Sequence, residues 1–156
     1  MATRTAQNPL LVYAIFITLS VGGGLLIGTV SMPDGWFATL AKPSFQPPNW
    51  LFGPVWTILY VLIGIAGARI FRAAPGSLAM KAWFIQMVLN FLWSPTFFSL
   101  HALVPALVIV SLLLITILVF IRNALPIDRI AGLLFVPYAL WVSFATLLNA
   151  SLIALN

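Results

Sequence analysis

Long apolar runs alternate with short polar breaks along the whole chain. Residues 1–8 are polar and read as a frayed start, and from Pro9 to Val30 no charge interrupts the sequence. That run has about the length a bilayer span needs. Four more runs follow, over roughly 50–71, 78–98, 102–121 and 128–152. The pattern predicts an all-α membrane protein, a five-transmembrane-helix bundle in one domain, with residues 31–49 as a lid loop. A cleaved leader is the rival reading of the first run. Its apolar core would be shorter, and no A-x-A cleavage pattern follows. Prolines punctuate the runs. Pro54 and Pro105 fall in first helical turns, where a missing N–H matters little. Pro95 is expected to bend the end of the third run, and Pro137 to interrupt the fifth. Pro33-Asp34-Gly35 reads as a turn, and Asp128 as an N-cap. Gly24/Gly28 and Gly64/Ala68 are small-xxx-small pairs that let helices approach closely, in this chain or between chains. The fourth run, almost all Val, Leu and Ile, reads as lipid-facing or purely structural.

The break into the second run is unusual. Lys42 to Tyr60, KPSFQPPNWLFGPVWTILY, holds four prolines and two tryptophans. The prolines forbid regular structure before Asn49 and pre-set a helix start there. Phe52, Trp56 and Tyr60 then recur every four residues on one helix face. Two readings stand: an aromatic belt at the membrane interface, or a stiff lid over a pocket for something flat and apolar.

Composition supports the bilayer as solvent. The chain is 63% hydrophobic and 6% charged, with mean hydropathy +1.15. A compact soluble fold of this size cannot hide so much apolar surface. The seven cationic side chains are dispersed, which excludes a nucleic-acid patch. Arg4, Arg69, Arg72, Lys81, Arg122 and Arg129 fall on the side of the N-terminus, and Lys42 alone falls on the other. The positive-inside rule then places the N-terminus in the cytoplasm, with the lid loop and the C-terminus opposite. An odd number of spans without internal repeat argues against a duplicated transporter.

Few residues carry chemistry. No run embeds an Asp, Glu, Lys or Arg deeply, there is no cysteine, and the single His101 reads as a solvated loop residue. Ion-coupled pumping, metal sites and nucleophilic catalysis are disfavoured. Polar and aromatic residues are nonetheless placed deep in the runs. Gln86, Asn90, Trp93 and Phe97 share one stripe of the third run, and Tyr138, Trp141, Ala145 and Leu148 one stripe of the fifth. Asn90 is read either as an interhelical hydrogen bond or as a polar anchor in a cavity floor. Trp141 is read either as core packing or as a ligand platform beside the gap left by Ala145. Trp56, Tyr60, Asn90, Trp93, Tyr138 and Trp141 could together line one cavity capped by Trp36.

Three motifs carry a family resemblance: KPSFQPPNWLFGPVWTILY (42–60), LNFLWSPTFF (89–98) and FVPYALWVSFATLLN (135–149). In order and spacing the chain resembles the translocator protein / tryptophan-rich sensory protein family. The resemblance implies a five-helix membrane bundle, usually a homodimer, with a pocket beneath the first loop. It implies a ligand, protoporphyrin IX or heme, and no intrinsic cofactor or metal. The implied role is sensory or regulatory in tetrapyrrole and stress control. Light-dependent porphyrin breakdown, with Trp36 and Trp141 involved, and porphyrin or lipophile transport are the implied alternatives. By motif match the pocket positions are Trp36, Trp56, Asn90, Trp93, Trp141 and Ala145. The match departs in places. The tail NASLIALN lacks the Tyr and Lys/Arg of the family's cholesterol pattern. Ser44-Phe45 stands where some relatives have a Trp pair, and Phe37 where some have Tyr.

Overall fold

A computed structural model describes residues 7–156, which are helical with no strand among them. Arg4, counted above in the charge asymmetry, lies outside the described residues. The helices are α1 (Pro9–Val30), α2 (Gly35–Thr39), α3 (Asn49–Ala73), α4 (Leu78–Ser94), α5 (Leu103–Ala124) and α6 (Arg129–Leu155). Four of them, α1, α3, α5 and α6, are long and apolar enough to cross a bilayer. The third apolar run differs: Pro95 ends α4 at Ser94, and the chain continues as a wider π turn, Pro95–Ser99. Proline cannot donate the α-helical bond one turn back, so the backbone re-pairs further along.

Local chemistry sets the helix starts. The Asn8 side chain accepts from the Leu10 N–H at 3.0 Å, so this last residue of the polar start is a cap and not a frayed end. Asp34 does not make the turn expected of it; its carboxylate caps α2 through the Trp36 and Phe37 N–H groups. Asp128 caps α6 through the Ala131 N–H at 2.9 Å. Pro137 breaks α6 after Leu134, and Phe135 sits off the helical path. The kink stacks Phe135 on Phe120, with ring centroids 3.8 Å apart, and turns Tyr138 fully inward.

Helix α1 packs most closely on α3 through its first half. At Gly64 an added Cβ would lie 2.7 Å from the Ile17 Cα, so the two backbones nearly touch. Beside that contact the buried Ser20 hydroxyl donates to the Tyr60 carbonyl at 2.7 Å. Of the two small-residue pairs, Gly64 thus serves a neighbour within this chain, whereas Gly28 faces open space. The second half of α1, Gly23–Val30, has no buried residue. Gly24 there still meets the Tyr60 ring of α3, and the same half of α1 borders the space beneath the lid. Deeper in the bundle the fully buried Trp83 packs on Phe16 and donates to the Ile63 carbonyl at 2.9 Å.

The lid is tied down at several points. His101 Nε2 lies 2.9 Å from Asp34 Oδ2, and its ring stacks on Trp36 at 4.2 Å. Lys42 Nζ donates to the Phe37 carbonyl at 2.7 Å and lies over the Phe37 ring. Asn156 pairs with both backbone groups of Ala41, and Phe45 meets Phe144 edge-on. At the opposite end Arg69 and Asp128 form an ion pair, 2.9 Å, that joins α3 to the start of α6.

Gly64→Val should lower the unfolding midpoint in detergent, because the Ile17 backbone cannot retreat; overpacking of this kind costs about 1–3 kcal/mol. A thermal melt reads it. The Arg69–Asp128 pair gives a pH signature. Burial pushes the Asp128 carboxyl up, but the Arg69 guanidinium and the Ala131 N–H outweigh it and hold the group below the usual carboxylate range. A depressed carboxylate contributes stability that is complete above about pH 4 and lost as pH falls through the folded value. Melts below pH 4 should therefore fall more steeply for the parent protein than for Asp128→Asn.

Candidate ligand-binding site

Two adjoining hollows open beneath the lid. The larger, ≈ 500 Å³, lies between the second half of α1, the start of α3 and the inner faces of α4, α5 and α6. Its volume is in the range of small-molecule sites. Trp56, Tyr60, Asn90, Trp93 and Ala145 line it, with Phe37, Phe52, Phe98, Val110 and Leu113. The smaller, ≈ 40 Å³, sits against the lid between α3, the end of α4 and α6. Trp93, Phe97, Trp141, Ala145 and Leu148 line it, with Gln46 and Asn149. Trp56, Trp93, Ala145, Phe37, Phe52 and Phe98 belong to both, so the two hollows are one site with a main chamber and an annex.

The indole and phenol rings brace each other. Trp56 lies 5.4 Å from Tyr60 and meets Tyr138 edge-on. Trp141 meets Phe52 edge-on at 5.7 Å, and Trp93 lies 5.2 Å from Phe97. Phe97 and Phe98, both in the π turn after α4, line the annex together.

Beneath the rings runs a chain of hydrogen bonds. Tyr60 Oη donates to Asn90 Oδ1 at 2.7 Å, and Asn90 Nδ2 donates to Tyr138 Oη at 2.7 Å. Tyr138 Oη donates in turn to Gln86 Oε1 at 2.8 Å. The chain joins α3, α4 and α6. Both readings of Asn90 therefore hold at one position: it lines the chamber, and its amide is already engaged between helices. Trp93 Nε1 donates to Asn149 Oδ1 at 3.3 Å, and Asn149 Nδ2 donates to the Leu103 carbonyl, so α5 is tied in as well.

Eight of the ten residues singled out from the sequence line the chamber or its annex; two do not. Tyr138 is fully buried behind the chamber and acts through Asn90. Trp36 turns away to stack on His101, and its neighbour Phe37 faces the site instead. Adjacent residues on a helix point about 100° apart, so α2 can present only one of the two. His101 is an exposed loop residue, as expected, and it also fastens the lid. Nor is α5 only a structural helix, because Val110 and Leu113 close the chamber wall. Phe52, placed by its spacing on one aromatic face with Trp56 and Tyr60, does line the site, whereas Gln46 and Phe98 lie inside the quoted motifs without being separable there from ordinary packing. Trp50, 71% exposed at the start of α3, fits the interfacial belt.

Comparison with known proteins decides the family: the TspO/MBR family model matches residues 14–155. The chain belongs to that family. It is 35% identical to protein CrtK of Rhodobacter capsulatus, covering 94% of each chain. It is 37% identical to the tryptophan-rich protein TspO of Chlorobaculum tepidum, covering 96% of this chain and 99% of that one. The human translocator protein is 31% identical over 73% of this chain and 70% of its own. Family membership and the long apolar helices make this TspO/MBR protein a multi-pass membrane protein.

Asn90→Leu should leave Tyr60 without its acceptor and Tyr138 without its donor. Loss of a buried partner costs about 1–3 kcal/mol, or about 2–4 °C of unfolding midpoint per kcal/mol in a chain of this size. A detergent melt of the variant checks it.

Proposed function

We propose that this protein binds a planar, largely apolar ring ligand of the tetrapyrrole class inside the membrane, in a sensory or regulatory role. The observation that carries the reading is the ≈ 500 Å³ chamber walled by Trp56 and Tyr60 from α3 and Trp93 from α4. Indole and phenol faces stack on conjugated rings and bury large area. In this reading all five long apolar segments cross the bilayer, the third as α4 with its π turn. The cationic ends of the helices lie in the cytoplasm and the lid opposite.

Recognition runs through the ring face and not through a metal. The chamber presents no His or Cys to an iron; Tyr60 is already hydrogen-bonded, and Met32 stands at the exposed edge. Metal-free protoporphyrin IX therefore fits the lining better than heme.

In detergent and darkness, protoporphyrin IX should quench intrinsic tryptophan fluorescence saturably. Trp56→Ala should weaken the affinity by about tenfold or more, in line with truncation of a central aromatic anchor. Ala145→Phe, which fills the junction of chamber and annex, should abolish saturable quenching. Parent-like affinity in both variants would remove this site as the place of binding.

A further inference from the structure

Most polar side chains that line the main chamber are already engaged. Thr29 and Thr57 donate to the Leu26 and Gly53 carbonyls of their own helices, each at 2.8 Å. Tyr60, Asn90 and Trp93 belong to the hydrogen-bond chains that join the helices. The Ser31 hydroxyl is sealed within the packing, and Asn49 stands at the exposed rim. Ser94 is different. It is the last residue of α4, half-buried, one turn beyond Asn90 on the same face, and it lines the chamber. Helical serines and threonines commonly donate to the carbonyl one turn back. Thr96, Ser111, Ser143 and Thr146 do so here, at 2.7 or 2.8 Å. The Ser94 hydroxyl makes no such bond among the described residues, caps no helix end, and is not sealed within the packing.

We propose that Ser94 is a specificity-determining residue of the chamber, its hydroxyl donating a hydrogen bond to a carbonyl oxygen on the rim of the ring ligand. A free donor among apolar walls favours a guest that brings an acceptor, since an unmet hydroxyl there costs free energy that a matched one recovers. In a tetrapyrrole the ring nitrogens point their lone pairs at the ring centre, away from a wall, so the acceptor sits on a peripheral substituent. The apolar walls favour a neutral carbonyl oxygen over an ionised carboxylate. The inference rests on the function proposed above and narrows it. The bound ring carries at least one oxygen-bearing substituent, and Trp56 and Trp93 take its face.

Protoporphyrin IX dimethyl ester and etioporphyrin, titrated side by side by tryptophan quenching in detergent, test this. Both have the porphyrin macrocycle, but etioporphyrin carries only alkyl groups on its rim, whereas the ester adds carbonyls. Ser94→Ala should weaken the ester by about fivefold, the size of one neutral hydrogen bond. The same variant should bind etioporphyrin as the parent does, which also reports that it is folded. Ser94→Cys, similar in size but a weak donor, should behave like Ser94→Ala. Free protoporphyrin IX should follow the ester. An equal change for ester and etioporphyrin, or no change for the ester, would overturn the role of Ser94. A loss confined to the free acid would move the acceptor to an ionised carboxylate and overturn the carbonyl assignment. No saturable binding of any of the three by the parent would instead overturn the proposed function.

Discussion

A polar group inside a hydrocarbon solvent must find its partner within the protein. Much of this bundle follows from that constraint. Tyr60, Asn90, Tyr138 and Gln86 come from three helices. They hydrogen-bond to one another in a single file that ends at the Gln86 Oε1. The file fixes the relative height of α3, α4 and α6, and so the height of the aromatic rings above it. Ser20 and Asn149 do the same at the edges, by giving their hydrogens to backbone carbonyls of α3 and α5. Greasy contacts alone would let helices slide, because lipid tails are as good a neighbour as leucine.

The chamber lies beside the less closely packed half of α1. Gly64 lets α1 and α3 close onto each other over the first half of α1. Beyond the π turn at Thr18–Gly22, α1 has no buried residue and borders the chamber. At Gly24 the Tyr60 ring already occupies the place a side chain would fill, so α1 is in contact with α3 there as well. Proline does comparable work elsewhere. Pro95 and Pro137 each break an α-helix where rings must be turned inward, toward Phe97 and Phe98 in one case and Phe135 and Tyr138 in the other. Rigid backbone defects thus replace the embedded charges that this site lacks.

Much of this could be read from residue order. Apolar run length placed the long helices, and a four-residue spacing put Phe52, Trp56 and Tyr60 on one face. Stripe arithmetic brought Asn90 and Trp93 to the chamber. What could not be read was anything that depends on distant segments meeting. His101 looked idle because Asp34 and Trp36 are more than sixty residues away. Trp36 and Phe37 are neighbours of similar chemistry, and only the fastening of α2 decides which one faces inward. The apolar monotony of α5 hid Val110 and Leu113, since wall and lipid-facing positions use the same residue types. The π turns were invisible for a related reason: they change which side a residue faces without changing composition.

Exposed Leu25 and Met32, each on the outer flank of the chamber, make its doorway part of the lipid-facing side of the molecule. On the function proposed above, a guest arriving there would leave oil, not water. Transfer from oil to an apolar pocket yields little of the usual desolvation gain, so discrimination falls to ring-on-ring fit and to the few polar atoms within reach. The concentration that matters is the guest's mole fraction in the surrounding amphiphile, and doubling the detergent at fixed guest would halve the effective dose.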